Sequence, residues 1–473
     1  MYVRVEANIA PVSPVAIVGA ALRFPGAADP ASFHELTIAG RRMFRELAAA
    51  VPGHGHGAGH EQGLPLRPPP SSAALLDHED VAGDWDPAAA ASGITARHVL
   101  AADTVAAALA DVALSARAVA PDRIGVIVAD IPEPDTRHAG DWVRERLGLT
   151  GSATAGKGAA AEAATGVAGP QCSLRAVVAG CEALNAGEFD LVVVGGVNMG
   201  VGHGGVSGTS EASPPTDDVR VYDASPSGML PGEGSGAVAL MRAADARAGE
   251  LPAYAEIVGW HTADGDGPMS LRPAYLRAGV DPTDVQLVEG HGAATAADDL
   301  AELSALLDVL GPRARCALGA VSANIGDTRG AAGIAALLKT ALAMTAGTIP
   351  PATGCVRPHP LLAAGTAPLR VPAVAEPWPD TAVQLAAVNS LGTVARHDAP
   401  RSGVVHVVLR RERDSGYPVG RRRRAASASA DDTPRDAGSH LDVPAPRRAA
   451  GAHVAPPPRP RMPEDTLLGT AAP

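Results

Sequence analysis

Lysine is nearly absent from this chain of 473 residues, since only Lys157 and Lys339 occur, and aromatic residues make up just 3% of it. Acidic residues outnumber basic ones by 51 to 39, so the formal net charge is −12. A protein that binds nucleic acid in general normally carries a basic stripe on its surface. The composition therefore predicts that nucleic acid is not a partner.

Cysteine is scarce as well, with four residues at positions 172, 181, 316 and 355. Their spacing matches neither a disulfide framework nor the CxxC pairs of a zinc site, so we expect no metal. No uncharged apolar run reaches the roughly 18 residues of a transmembrane helix, and the first residues lack the apolar core of a signal peptide. We therefore expect a soluble, cytoplasmic protein with no membrane contact.

Apolar residues are plentiful, at 46% of the chain, and their pattern predicts an α/β fold. Short β-branched runs are typical of buried strands, and alanine-rich segments between them are typical of helices. The predicted strands are Val15–Val18, Ile124–Val128, Leu191–Val194 and Val404–Leu409. The predicted helices are Thr104–Leu114, Leu174–Leu184, Asp299–Leu310 and Ala331–Met344. Strands that alternate with helices indicate largely buried sheets.

Two stretches break this alternation. Residues from about 53 to 72 are rich in Gly, His and Pro, and predict a disordered surface loop. The histidines of this loop lack cysteine or carboxylate neighbours, so we expect solvated side chains and not a metal site. The segment 412–473 is rich in Arg, Pro and Ala and cannot build a core, which predicts a disordered tail.

Five segments, in order along the chain, are similar to motifs of the β-ketoacyl synthases, the thiolase-fold condensing enzymes of fatty acid and polyketide synthesis. They are Val15–Gly26 with its RFPG turn, Gly187–Asn198 ending in GGVN, Tyr222–Gly236 with PGEGSG, Val288–Thr295 in place of VEAHGTGT, and Val321–Thr328 in place of VKSNIGHT. The resemblance extends from about residue 14 to residue 411. One glycine-rich segment would be weak support, but five in the family order make the resemblance specific.

The resemblance implies a five-layered αβαβα fold made of two similar halves, residues 1–245 and 246–411. It also implies acyl carrier protein as a partner, a homodimer or a heterodimer with an active ketosynthase, and no metal or organic cofactor. In the family, a cysteine accepts the acyl chain. Two histidines polarise the malonyl thioester for decarboxylation.

The nucleophile motif of the family, ACSSSL, is altered in this chain. Residues Gly169–Leu174 read GPQCSL, and alignment without gaps on Leu174 and Cys181 places Pro170 at the nucleophile position. Proline is sterically acceptable in the first turn of a helix. It has neither a thiol nor an N–H group for an oxyanion hole, so it cannot perform the family chemistry.

Two neighbours of Pro170 are further candidates. Cys172 is either a displaced nucleophile, acidified near a helix N-terminus, or a small buried residue. An offset of two residues turns a helical side chain by roughly 200°, which counts against the nucleophile. Gln171 lies next to the position where chain-length factors, which lack the nucleophile, commonly carry glutamine. We therefore count Gln171 among the candidate substrate-binding residues.

Only one of the two family histidines is retained. His291 keeps its motif position, and is either a polariser of a thioester or a core histidine tied to backbone carbonyls. Asp327 stands where the second histidine belongs. An ionised aspartate accepts hydrogen bonds and cannot donate one to a thioester carbonyl, and it would repel a malonyl carboxylate.

Other family positions divide into lost and retained ones. Ser322 replaces the lysine of VKSNIGHT, and the glycine-rich GTNAH loop is interrupted by an insertion at residues 396–400. Leu391 and Gly392 resemble the start of that loop and are candidate substrate-binding residues. Three scaffold positions of the family are retained. We assign the GDxxE motif to Asp298 and Glu302, and Lys339 keeps the lysine further along the chain.

These substitutions favour a non-condensing ketosynthase-like subunit, similar to a chain-length factor, that pairs with an active ketosynthase and shapes the acyl tunnel. An active acyltransferase or β-ketoacyl synthase that uses Cys172 with His291 is the alternative. A decarboxylase with Gln171 in place of the nucleophile ranks last, because such a reaction needs both family histidines.

Overall fold

The computed structural model describes residues 9–47, 72–77, 93–112, 119–130, 138–149, 172–199, 218–264, 269–363, 367–394 and 401–413. Pro170, Gln171, residues 53–71 of the loop predicted at 53–72, and the tail beyond residue 413 lie outside this part. Ser72, at the end of the predicted loop, and Glu412, at the start of the predicted tail, each belong to a strand.

The described strands and helices alternate along the chain. The strands are β1 (Val15–Arg23), β2 (Arg45–Glu46), β3 (Ser72–Ala73), β4 (Ile124–Ala129), β5 (Leu191–Asn198), β6 (Gly234–Arg242), β7 (Glu256–Asp264), β8 (Leu287–Glu289), β9 (Cys316–Gly319), β10 (Thr348–Ile349), β11 (Leu369–Arg370), β12 (Glu376–Pro377), β13 (Val383–Val394) and β14 (Arg401–Glu412). The helices are α1 (Pro30–Ile38), α2 (Ala96–Asp111), α3 (Ala139–Arg146), α4 (Cys172–Asn185), α5 (Ala243–Ala248), α6 (Arg272–Ala278), α7 (Ala296–Leu310), α8 (Ser322–Ile325), α9 (Ala332–Ala346) and α10 (Pro360–Ala363).

All eight predicted elements are present, and the differences concern where they begin and end. The predicted helix at Thr104–Leu114 is α2, which begins eight residues earlier because Thr95 and His98 form a capping box at Ala96. Helix α7 begins at Ala296 because the Thr295 side chain accepts a hydrogen bond from the N–H of the third residue of the helix. Among the described helices, none combines the length and the apolar character needed to cross a membrane.

Ten of the strands form one sheet in the order β11-β9-β8-β13-β14-β7-β1-β6-β5-β4. Strands β1 and β7 join through two residue pairs at their first residues, Val15 with Ile257 and Ala16 with Glu256. The sheet therefore consists of an N-terminal group (β1, β4–β6) and a C-terminal group (β7–β9, β11, β13, β14). Within the C-terminal group β7, β8, β9 and β13 run in the same direction, because β14 is antiparallel to both of its neighbours.

Both faces of each group are covered by helices. In β5, Val192 and Val194 pack into a central cluster with α4 and α9, whereas Leu191 and Val193 pack into an outer cluster with α2 and α3. Strand β13 alternates in the same way between the central cluster and an outer cluster with α6 and α7. This period of two, apolar on both faces, produces five layers in the order αβαβα.

Candidate functional site

The start of helix α4 lies where the two halves of the central layer meet. Helix α4 begins at Cys172, and the buried Ser173 Oγ accepts a hydrogen bond of 3.0 Å from the N–H of Ile334 in α9. A Cβ atom at Gly196, near the end of β5, would lie 2.5 Å from the carbonyl oxygen of Gly330 and 2.8 Å from Ser173 Cβ. Only glycine allows the end of β5, the start of α4 and the turn before α9 to pack this closely.

His291 lies two residues after the end of strand β8 and is held by its backbone. Its N–H donates to Glu302 Oε1 at 2.8 Å, and the N–H of Gly292 donates to Oε2 at 3.1 Å. The ring is half-buried, and no group in the described part of the chain hydrogen-bonds to it.

Glu302 is the centre of a buried polar network that the motifs did not predict. It is fully buried and also accepts hydrogen bonds from the Tyr222 hydroxyl at 2.8 Å and from Asn389 Nδ2 at 2.6 Å. With the two backbone N–H groups, four donors meet one carboxylate. The network fixes the loop that carries His291, because the donors come from three distant segments.

The network continues to His406 in β14. His406 Nδ1 lies 3.2 Å from Asn389 Oδ1, and Nε2 lies 3.0 Å from the Tyr275 hydroxyl. Burial lowers the pKa of His406 to about 3, so the ring is neutral at physiological pH. Because Asn389 presents its oxygen, Nδ1 carries the proton and Nε2 accepts from Tyr275.

The acidic motif next to this loop involves Asp299 and not Asp298. The assignment of the GDxxE aspartate to Asp298 is wrong, because Asp298 is exposed and accepts a hydrogen bond from the Thr295 hydroxyl. Asp299 is buried and accepts the N–H groups of Tyr222, at 2.8 Å, and of Ala294, at 3.0 Å. Burial raises its pKa to about 7. The D-x-x-E spacing of GDxxE fits Asp299 with Glu302, so the motif itself contained the signal.

Asp327 closes a turn onto its own backbone. Its Oδ1 accepts a hydrogen bond of 2.9 Å from the N–H of Arg329, two residues on, in the pattern of an Asx-turn. Its own N–H donates to the carbonyl of Leu230, and its carbonyl accepts from the N–H of Gly232. A half-buried carboxylate, used as an acceptor, therefore lies where the motif comparison predicts the second family histidine.

Two further motif positions have distinct partners. The Ser322 hydroxyl, where the family has lysine, lies 3.0 Å from the carbonyl of Gly292 and 3.3 Å from that of His291. Lys339 Nζ lies 2.9 Å from Glu289 Oε2, and both side chains are almost fully buried. Burial raises the pKa of Glu289, which the lysine charge partly opposes. Both contacts support the loop that carries His291.

Leu391 and Gly392 lie in a continuous strand and not in a glycine-rich loop. Strand β13 pairs with β14 in register from Val383–Glu412 to Val394–Arg401, so that Leu391 faces Val404 and Gly392 faces Gly403. Leu391 is buried at the end of β13 that lies level with the loop after β8. Both candidate substrate-binding residues therefore lie at the same edge of the sheet as His291.

Five of the predicted site residues lie near one edge of the sheet, and the positions of the others are less fully described. His291, Ser322, Asp327, Leu391 and Gly392 gather around the carboxyl ends of β8, β9 and β13, with the start of α4 beside the turn that follows Asp327. Carboxyl ends of parallel strands are the usual ligand edge of α/β folds. Pro170 and Gln171 lie outside the described residues, and Cys172 is placed only as the first residue of α4. Within the described residues, no group of three His, Cys, Asp or Glu side chains could hold a metal ion.

Comparison with solved structures defines the class of fold. The chain is similar to the ketosynthase from module 6 of the bacillaene synthase of Bacillus subtilis 168, with 24% identity and a TM-score of 0.67 over 84% of this chain and 72% of that one. It is also similar to an oxazolomycin ketosynthase domain of Streptomyces albus JA3453, with 25% identity and a TM-score of 0.62 over 84% and 95% of the two chains. The fold is thiolase-like, as the resemblance implied.

Two family models match the sequence of this chain. The model "Beta-ketoacyl synthase, N-terminal domain" matches residues 12–246, and "Beta-ketoacyl synthase, C-terminal domain" matches residues 254–355. The chain belongs to the β-ketoacyl synthase family.

The curated relatives are polyketide synthases of much greater length. A mycocerosic acid synthase-like polyketide synthase of Mycobacterium tuberculosis is 31% identical over 80% of this chain and 20% of the relative. A protein of the same description from Mycolicibacterium smegmatis is 29% identical over 85% of this chain and 20% of the relative. The chain thus spans about a fifth of the length of these relatives.

Proposed function

We propose that this chain is a non-condensing ketosynthase-like subunit of polyketide biosynthesis. In this role it pairs with an active ketosynthase, contacts acyl carrier protein and shapes the tunnel that holds the acyl chain. The similarity to ketosynthases of polyketide synthases supports the pathway class. The loss of catalytic groups supports the non-condensing role.

The observation that carries this proposal is the environment of Asp327. A family enzyme needs a donor at this position to polarise the malonyl thioester carbonyl. Asp327 instead presents an acceptor, already engaged with the Arg329 N–H at 2.9 Å. An anion here would raise the energy of a thioester enolate, where a histidine would lower it.

Two further features support the same conclusion. Pro170 aligns with the nucleophile and offers no thiol. The segment that aligns with the family's oxyanion loop, around Leu391 and Gly392, is part of the β13–β14 ladder. In an antiparallel ladder every second residue directs its N–H group to the neighbouring strand, and those N–H groups are not free to stabilise an oxyanion.

An active acyltransferase that uses Cys172 with His291 is the second candidate. Helix α4 begins at Cys172, and the partial positive charge of a helix N-terminus favours a thiolate. The imidazole of His291 has no hydrogen bond in the described part of the chain, so it would be able to serve as the base. This candidate differs from the first in one observable, the covalent uptake of an acyl group.

A condensation assay tests the proposed role. Purified wild-type protein and the Pro170→Cys and Pro170→Ala variants are incubated with acyl- and malonyl-carrier-protein thioesters, next to an active ketosynthase as positive control. We expect no β-ketoacyl product from any of the three, because Asp327 and the β13–β14 pairing remain. Pro170→Ala separates the removal of proline from the gain of a thiol. Condensation by Pro170→Cys alone would show that the rest of the site is intact and would overturn the proposal.

A further inference from the structure

Two carboxylates of helix α7 hold the backbone of the loop that carries His291, residues 290–295. Glu302 accepts the N–H groups of His291 and Gly292. Asp299, one helical turn earlier, accepts the N–H of Ala294 at 3.0 Å. Both carboxylates are buried, with exposures of 0% for Glu302 and 1% for Asp299. The shape of the loop therefore depends on two acidic side chains that lie on the same face of one helix.

Asp299 also holds two residues whose backbone is strained. Tyr222 and Ala294 have φ angles of 50° and 55°, although neither is glycine. The N–H groups of both donate to the carboxylate of Asp299, at 2.8 Å and 3.0 Å. Residues with a side chain stay in this left-handed conformation only when the surrounding contacts hold them there. Asp299 therefore joins the loop to the segment before β6 at its two strained positions.

The two acids have no cation of their own in the described part of the chain. Lys339 is buried in this region, but its Nζ is already paired with Glu289 at 2.9 Å. Two buried carboxylates that lie close together ionise together only at a large cost, because each charge disfavours the other and neither is hydrated. One of the pair, Asp299 or Glu302, therefore retains a proton at a higher pH than an exposed acid does.

The hydrogen-bond donors around each acid decide which of them keeps the proton. Glu302 accepts four donors, since the Tyr222 hydroxyl and the Asn389 amide join the two N–H groups of the loop. Asp299 accepts only two. Donors favour the charged form of a carboxylate, so Glu302 is the one that stays ionised. Burial, together with the charge of Glu302, raises the pKa of Asp299 to about 7.

The other titratable groups that face Asp299 leave this assignment unchanged. Asp298, in the same helix, is exposed and accepts a hydrogen bond from Thr295. Tyr222 and Cys355 belong to the two segments that pack against Asp299. Burial raises the pKa of both, to about 12 for Cys355, so they stay neutral at physiological pH. His291, on the loop itself, is the group whose contribution the experiment has to separate.

We propose that Asp299 is a proton-controlled latch for the loop that carries His291. The loop stays closed while Asp299 is protonated, because a neutral carboxyl group keeps acceptor oxygens and adds no second buried charge. Loss of the proton places two negative charges side by side. It therefore favours an opened loop, in which water hydrates Asp299. The position of His291 at the candidate site is thereby coupled to pH.

Hydrogen exchange of the loop amides tests this coupling. Mass spectrometry at pH 5, 6, 7 and 8 measures the protection factor of the peptide 287–295 in the full chain, corrected at each pH for the intrinsic exchange rate. The pKa of Asp299 is about 7 in the closed loop and returns towards its ordinary value of 3.8 in the opened one. We therefore expect protection to fall about tenfold between pH 5 and pH 6 and to level off above pH 7. Equal protection at every pH would overturn the proposal.

Variants assign the effect to Asp299. Asp299→Asn is neutral at every pH, so its loop protection should stay within about twofold from pH 5 to pH 8. The matched control, Asp298→Asn, alters an exposed neighbour and should keep the trend of wild type. A trend that persists in Asp299→Asn would assign the coupling to His291 or to another group and overturn the proposal. The wild-type profile alone keeps the proposal testable if Asp299→Asn does not fold.

Strand β5, in the same exchange experiment, separates opening of the loop from unfolding of the whole chain. Its buried amides exchange only when the sheet opens. We expect the loop peptide to be less protected than β5 at every pH, because the loop opens by itself. Protection of the loop equal to that of β5 throughout would show that the loop opens only with the rest of the fold, which would contradict a latch.

Discussion

Single residues decide whether this scaffold can perform the family chemistry. Asp327, which the motif comparison assigns to the histidine position, uses its carboxylate to close a turn, whereas His291 lies on a loop fixed by Glu302. The motifs assign both positions, because each lies in a short segment that aligns without gaps. They could not predict the partners of Glu302, since Tyr222 and Asn389 are 80 and 87 residues away in sequence.

Asp299 gives the fold a measurable pH dependence. Its pKa in the folded protein is about 7, against an ordinary value of 3.8, because burial disfavours the charged form. The raised pKa contributes stability fully below pH 3.8, and this contribution is lost as the pH rises through 7. We therefore expect the free energy of unfolding of wild type, relative to Asp299→Asn, to increase by about 1 kcal/mol per pH unit between pH 6 and pH 4.

Urea unfolding at several pH values measures this difference. His406, with a pKa of about 3 in the folded state, has the opposite pH dependence, but it is present in both proteins and cancels in the comparison. Asp298→Asn, which alters an exposed neighbour whose charge is a minor cause of the raised pKa of Asp299, serves as the control and should show a much smaller trend. A constant difference between wild type and Asp299→Asn from pH 8 to pH 4 would contradict the assignment.

At the scale of elements, the long apolar segments were predictable and their partners were not. Helices α4, α7 and α9 follow from alanine- and leucine-rich segments, and strands β4 and β5 from β-branched runs. Short strands such as β8 and β9 have too few residues for a period of two to be visible. The sequence did not predict the pairing of β13 with β14 at Gly392, because comparison with the family motifs indicates a loop and an insertion in this segment.

The ion pair between Lys339 in α9 and Glu289 in β8 joins the central layer to the sheet. Both side chains are buried, with 2% and 1% exposure. Lys339→Met leaves a buried carboxylate without its partner, and we expect it to lower the free energy of unfolding by about 3–5 kcal/mol. The double variant Lys339→Met/Glu289→Gln should recover part of this loss. Denaturant unfolding checks both, and a single variant as stable as wild type would show that the pair does not stabilise this junction.

At the scale of the whole molecule, the layered core extends to strand β14, and the residues after this strand differ from the core in composition. The last described residue, Arg413, pairs with Asp380 at the end of the core. Residues 414–473 are rich in Arg, Pro and Ala, and such a composition cannot bury much apolar surface. We expect deletion of residues 414–473 to change the melting temperature by less than about 2 °C. A larger decrease would show that this segment packs on the core.

We propose that this chain keeps a ketosynthase scaffold but has lost its covalent chemistry. The most direct measurement is the intact mass of the purified protein after incubation with acyl- and malonyl-carrier-protein thioesters. Cys172→Ala is measured in parallel, with Cys355→Ala as the matched control, because burial raises the pKa of the Cys355 thiol to about 12. We predict no gain in mass for any of the three proteins, under conditions in which an active ketosynthase becomes acylated. A gain that disappears in Cys172→Ala and persists in Cys355→Ala would make Cys172 a nucleophile and this chain an enzyme.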